Sequence, residues 1–268
     1  MKLNDSTPHL MLLVATALLL PLACLSATGR PVHEVRPATA DGTVTIEDVS
    51  GSVHVEGTDA ASVDVSGTIG PKVERVEVTQ AGERTTVRVV LPTITMNRQN
   101  ESDANLTVKV PKGSSVEANV VSADLHFRGV NGKLRLKTVS GDVSGAGGAG
   151  VGIATVSGDV KFSNESGGAL RVKTTSGDIV LNGMLGVADI DSVSGDVHVE
   201  LQAAPDARIG VQTVSGDIQT CGGPKPEESR YGPGSRLHFD SGSANGHVRI
   251  NTVSGDVHWC APAGKAPH

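Results

Sequence analysis

Apolar and polar residues alternate with a period of two in short bursts along most of this chain, and the bursts recur. They fall into register on a repeated triplet: Ser140-Gly141-Asp142, Ser157-Gly158-Asp159, Ser176-Gly177-Asp178, Ser194-Gly195-Asp196, Ser215-Gly216-Asp217 and Ser254-Gly255-Asp256. A variant, Ser122-Ala123-Asp124, precedes them, and the steps between successive serines are 18, 17, 19, 18, 21 and 39 residues. Six positions before each serine stand Val116, Leu134, Val151, Leu170, Ala188, Ile209 and Val248; four before stand Ala118, Leu136, Ile153, Val172, Ile190, Val211 and Ile250. Between them lie polar or small residues, Glu117, Arg135, Gly152, Arg171, Asp189, Gly210 and Arg249. Such alternation marks a strand with one buried face. After the triplet an apolar residue returns at Val143, Val160, Ile179, Val197, Ile218 and Val257. Two positions later come Phe127, Phe162, Leu181, Val199 and Trp259. Each repeat therefore predicts strand, sharp corner, strand and a loose return.

One such unit cannot bury its apolar face alone, but units stacked in parallel register share a continuous core. The repeat is too short for a four-stranded propeller blade, which needs about 40 residues. The pattern predicts an all-β chain: a single-chain parallel β-helix or β-solenoid of roughly 18-residue coils, with an irregular N-terminal β-region. At the corner, Gly supplies backbone freedom, and Ser and Asp oxygens can bond nearby N–H groups. Thr138, Thr155, Thr174, Thr213 and Thr252 predict a hydrogen-bonded ladder. Stacked Asp124, Asp142, Asp159, Asp178, Asp196, Asp217 and Asp256 would repel by about 1 kcal/mol per neighbouring pair in water, so backbone N–H groups or cations must offset them. The glycine-and-aspartate nonapeptide of calcium-binding β-rolls is absent, and no metal or cofactor is assigned.

The flanks are less regular. Residues 28–41 predict an exposed linker, and 42–262 the solenoid, with 42–110 a degenerate N-terminal part and 111–262 the regular repeats. Within the former, Val-Ser-Gly-Ser-Val at 49–53 is a relative of the repeat, 73–92 a hairpin around Gln80-Ala81-Gly82, and 93–105 a polar loop. Residues 222–236, rich in Pro, Gly and charge, predict an inserted loop; 263–268 predict a disordered tail. The first 27 residues read as a signal peptide: Lys2, then an apolar run from Leu10 to Ala23, then small residues. This implies export to the periplasm or cell surface. Cys24 permits a lipid anchor, although Pro21 stands where the lipid-attachment box wants an aliphatic residue. No transmembrane span is expected in the mature chain.

Beyond the leader remain Cys221 and Cys260, each six residues after its repeat serine. They can pair if their coils are neighbours, as when Leu237–Phe239 belongs to a loop excursion, and not if that stretch builds a full extra coil. The disulfide is the expected outcome.

Aromatic residues make up only 2% of the chain, so aliphatic side chains must fill the core. The net charge of −6 and scattered Lys and Arg give no basic stripe for nucleic acid. No phosphate-binding loop, CxxC, HExxH or GxSxG appears. His126, His198 and His258 share one outward position but are expected several coils apart, as surface residues. A serine repeated in every coil suits a turn better than a nucleophile.

The run from Leu106 to Gly145, with its Val110-Pro111 to Val116 lead-in and the following TVSGDV units, resembles the bacterial "putative adhesin" domain family of unknown function over roughly residues 40–260. The resemblance implies a β-helix-like fold in a cell-envelope setting and supplies no catalytic residues. The expectation is a non-enzymatic structural or binding module with an envelope glycan or protein as partner. Its rivals are a β-helix enzyme acting on polysaccharide, with Lys225, Glu227, Glu228, Arg230 and Tyr231 of the 222–236 loop beside a cleft, and an envelope-stress accessory protein.

Overall fold

The computed structural model describes residues 29–92, 102–228 and 233–262. The leader with Cys24, most of the 93–105 segment, Arg230, Tyr231 and the 263–268 tail lie outside the described residues. Among the described residues no helix is long and apolar enough to cross a membrane.

In order the strands are β1 (Arg30–Pro37), β2 (Thr43–Thr58), β3 (Ser62–Ile69), β4 (Arg75–Ala81), β5 (Arg84–Val90), β6 (Ala104–Pro111), β7 (Ser115–Val130), β8 (Lys133–Lys137), β9 (Val143–Gly147), β10 (Gly150–Ser157) and β11 (Val160–Asn164). There follow β12 (Ala169–Ser176), β13 (Ile179–Gly183), β14 (Val187–Ser194), β15 (Val197–Leu201), β16 (Ala207–Ser215), β17 (Ile218–Thr220), β18 (Glu227–Glu228), β19 (Ser235–Ser241), β20 (Gly246–Ser254) and β21 (Val257–Cys260).

The strands before the corners form one face, in which the N-terminal half of β2 and then β7, β8, β10, β12, β14, β20 and β16 run parallel. Those after the corners form a second face, from the C-terminal half of β2 through β7, β9, β11, β13, β15, β21 and β17. This is a two-faced β-solenoid. The aligned apolar positions all point between the faces: Leu134, Ile153, Val172, Ile190, Ile250, Leu181 and Trp259 are each at most 2% exposed. Ser50, Gly51 and Ser52 sit opposite Ser122, Ala123 and Asp124, so the 49–53 segment turns the first corner. β4 and β5 form the expected antiparallel hairpin. The 28–41 segment differs from expectation: β1 pairs antiparallel with β3. With only Val32 and Val35 apolar and a proline near each end, it is an edge strand whose pattern is too thin to read as one.

Stacking explains the corner residues. A Cβ on Gly177 would lie 2.3 Å from the carbonyl oxygen of Gly158, one on Gly195 equally close to that of Gly177, and one on Gly255 2.2 Å from that of Gly195. Glycine is thus required by the coil below as well as by its own φ, 125° at Gly177. The aspartates are capped by backbone. The N–H of Asp142, Asp159, Asp178, Asp196, Asp256 and Asp217 donates in turn to Oδ1 of Asp124, Asp142, Asp159, Asp178, Asp196 and Asp256, at 2.8–3.0 Å. A hydrogen bond to a charged group contributes about 1.5–3 kcal/mol, enough to outweigh the repulsion between neighbouring carboxylates. The threonines do not form the expected continuous ladder: only Thr213 bonds across coils, donating to the Gly255 carbonyl at 3.2 Å, while Thr138 Oγ1 accepts from Gly141 N–H in its own corner, Thr174 donates to the Ser176 carbonyl, and Thr155 and Thr252 hydroxyls lack partners.

The aspartate order reveals an unexpected topology. The last coil, β20–β21, lies between β14–β15 and β16–β17. From β17 the chain crosses to β19, which pairs antiparallel with the outer edge of β16, and returns through a turn into β20 on its inner edge. Asp206, just before β16, fastens that turn: its carboxylate accepts from Ser243 N–H at 2.6 Å and Asn245 Nδ2 at 2.7 Å. So β19 is neither a loose excursion nor another coil, and the segment 222–236 is shortened from both sides by β18 and the start of β19. Cys221 and Cys260 become neighbours because the last coil is inserted, and they form a disulfide with Cα atoms 4.8 Å apart.

Two stability outcomes follow. Cys260→Ser should lose about 2–4 kcal/mol in urea unfolding, because the bridge closes a loop of 39 residues. Gly177→Ala should cost about 3 kcal/mol, since neither its φ nor the approaching carbonyl admits a side chain.

Candidate functional site

The sequence singled out the corner, but there the aspartate Oδ1 atoms and several glycine N–H groups are taken up in coil-to-coil bonds, and the short serine hydroxyls stay exposed without a bond to the neighbouring coil. The longer side chains that can meet a ligand lie on the outward rows of the two faces. Across the first face one row reads Glu117, Arg135, Gly152, Arg171, Asp189, Arg249, Gly210 and His238 in spatial order. Its small members leave hollows. Gly150 and Gly152 on β10 floor a trough of about 350 Å³. Lys133 and Arg135 of β8 stand on one side and Ala169 and Arg171 of β12 on the other, with Val187 and Asp189 of β14 beyond them, while the exposed Lys137 and Lys173 continue the two rows past the end of the trough. The walls stand two strand spacings apart, about 10 Å, with successive cations about 7 Å apart along a strand.

Ion pairs hold the arginines away from the floor. Arg135 reaches outward to Glu117 at 2.9 Å, and Arg171 to Asp189 at 3.1 Å. Hydrogen bonds from Arg84 and Arg135 keep the Glu117 carboxyl below the usual range; Arg171, aided by His247, does the same for Asp189. Lys173 lies 3.6 Å from Asp191, whereas Lys133 and Lys137 have no acidic partner among the described residues. A smaller hollow of about 250 Å³ repeats the construction at Gly210, between Arg249 and His238.

The profile of the Toastrack DUF4097 family matches residues 43–258. The chain belongs to this family. It is similar to three solved structures, named "putative adhesin" from Bacteroides fragilis (13% identity, 85% of this chain and 97% of that one, TM-score 0.49), "putative cell adhesion protein" from Clostridium sporogenes (9%, 87% and 100%, 0.41) and "putative lipid binding protein" from Parabacteroides distasonis (11%, 85% and 96%, 0.35). No curated protein matches.

On the second face of this Toastrack chain the histidines are not dispersed. Insertion of β21 beside β15 stacks His258 on His198, and the β2–β7 pairing stacks His54 on His126, both at 4.5 Å between ring centres. Sequence order hid the first pair, and His54 lies outside the regular repeat. Burial, then the neighbouring His126, lowers the His54 pKa. His54, His126, Ser144 and the Glu56–Arg128 pair line a second hollow of about 490 Å³. No group of three His, Cys, Asp or Glu side chains among the described residues could hold a metal.

The 222–236 segment brings no pair of acids together. Glu227 and Glu228 are consecutive on β18, so their side chains leave opposite faces, and both are exposed. One further feature was passed over in the sequence. The valine before every corner serine (Val49, Val121, Val139, Val156, Val193, Val253, Val214) except Ser176, which follows Thr175, is 38–52% exposed, so an apolar row with one break borders the corners.

Asp48 is the buried titratable group that this Toastrack sequence disguised. It occupies the place that the adjoining coil gives to Val120 and later coils give to Thr or Ser, and is 4% exposed. Its Oδ1 accepts from Val49 N–H at 2.7 Å, while Oδ2 has no partner. Burial raises its pKa to about 7 despite the Val49 and Ser50 N–H groups, and Asp103 adds to the rise. An unfolded aspartate titrates near 4, so the folded form holds its proton longer and stability falls as pH rises from about 4 to about 7. Asp48→Thr should therefore match the parent near pH 4 and exceed it by about 2–4 kcal/mol at pH 8, read by urea unfolding at each pH.

Proposed function

We propose that this Toastrack chain is an exported, non-catalytic binding module of the cell envelope, carrying its ligand face on a scaffold set by the Ser-Gly-Asp corners. The observation that supports this best is the contrast between corner and face. The corner aspartates are capped by N–H groups of neighbouring coils, while the first face offers a row of exposed cations over a glycine floor. Polar groups converging on a bond to be broken are what catalysis demands, and the described hollows hold ion pairs and stacked rings instead. Export draws support from the leader-like pattern of residues 10–27 and from the Cys221–Cys260 disulfide, which persists best in oxidising compartments. The adhesin names of similar structures agree in kind. The Ser-Gly-Asp triplets are assigned to the scaffold alone.

Fractionation of the native host tests this. The protein should appear in the periplasmic or surface fraction with Cys221 and Cys260 oxidised, and recovery from cytosol with free thiols would overturn the reading.

A further inference from the structure

We propose that the β8–β10–β12 trough binds an acidic polysaccharide, seated over Gly150 and Gly152 between the cations of β8 and β12. The inference rests on the binding-module reading and assigns that module a site and a ligand class.

The glycines carry the argument. Most corner glycines are imposed by the fold, because a Cβ would strike backbone at 1.9–2.3 Å. Gly152 is different: its nearest neighbour would be the Leu134 carbonyl oxygen at 4.0 Å, and for Gly150 the Ala169 carbonyl oxygen at 3.9 Å. Neither has a positive φ. The equivalent places on the adjoining strands carry Lys133, Arg135 and Arg171, so side chains are accommodated there. Glycine inside a strand weakens it, and where the backbone does not require it, it marks a place that something approaches closely. Here two such glycines lie at the bottom of a trough flanked by Lys133, Arg135 and Arg171, with Asp189 at its far side paired to Arg171, in a chain whose net charge is −6.

The walls select the ligand. Neutral sugars are commonly held against aromatic faces, but the trough has none, and Trp259 is buried on the far side of the core. Affinity must come from charge. Lys133 and Lys137, without acidic partners among the described residues, and the splayed Arg135 and Arg171 present donors to carboxylates spaced along a chain. An open trough rather than a closed pocket suits a polymer that continues in both directions.

The test is binding of the purified protein to polygalacturonate, with dextran, polyphosphate and duplex DNA alongside. Polygalacturonate should bind, dextran should not, and the affinity should fall as salt rises from about 50 to about 500 mM. Lys133→Glu with Lys137→Glu should weaken binding about tenfold or more, while Lys161→Glu on the opposite face leaves it unchanged. Gly152→Thr should lose binding while raising Tm by about 2 °C, a pairing that misfolding cannot produce. Polygalacturonate binding that survives Gly152→Thr and the lysine pair would overturn the site. Tighter binding of polyphosphate or DNA would overturn the polysaccharide assignment. No binding by a protein found in the envelope would sink the ligand class alone, whereas cytosolic recovery sinks the parent reading.

Discussion

Parallel, in-register stacking at about 4.8 Å is the constraint on which everything else here depends. Once coils stack in register, every position becomes a column, and each column must solve one packing problem repeatedly. Inward columns fill with Val, Ile and Leu. At the corner, glycine follows from the carbonyl of the next coil, 2.3 Å from where a Cβ would stand in Gly177. In the aspartate column a like-charge array becomes a chain of hydrogen bonds, each carboxylate receiving the N–H of its neighbour. The repeat is conserved along the chain because the same clash and the same bond recur in every coil.

Columns were legible in the sequence because they repeat; order was not. Spacing located Val151, Ile153, Val160 and Phe162 in the core, and all are buried. Nothing in that spacing says which coil stacks on which. A step of 39 residues fits an extra coil, a loop, or the observed excursion through β19 and back between β14 and β16. The cysteines were correctly paired by register, although the adjacency that makes the bond came from that insertion. The same spacing sets His198 and His258 several coils apart, and the insertion stacks them. Departures from the column were equally opaque. Asp48 stands in a threonine column, in a segment too degenerate to align closely, so a buried carboxyl with one unpartnered oxygen passed as an ordinary polar residue.

The candidate site was hidden more deeply, because its signal is a difference between glycines. In the sequence Gly152 and Gly177 are alike, members of a glycine-rich β-chain. Only the path of the neighbouring backbone distinguishes them, with one facing a carbonyl at 2.3 Å and the other at 4.0 Å. Outward rows carry no packing obligation, so their charges vary from coil to coil and yield no period to detect. That freedom also lets one row hold a function while the scaffold beneath stays constant.

A stack of parallel strands would continue indefinitely unless its ends resisted pairing, and the irregular parts of this chain occupy those ends. On one side β1 presents an exposed edge with Pro31, Pro37, Glu34 and Arg36, and β4 ends the other face with Arg75 and Glu77. At the opposite end the first face closes with β19, antiparallel and bearing Arg236, His238 and Asp240, and with the two-residue β18 paired on part of its outer edge, so an incoming coil would meet the wrong strand direction. The second face ends at β17, only three residues long and followed directly by the disulfide. Short, charged, proline-bearing or reversed edges are how β-proteins avoid end-to-end growth. Inserting the last coil serves the same purpose: placing it inside β16 leaves the outer edge of β16 to the antiparallel β19, itself flanked by the two-residue β18, so the regular repeat ends on short, charged, reversed strands instead of on another coil.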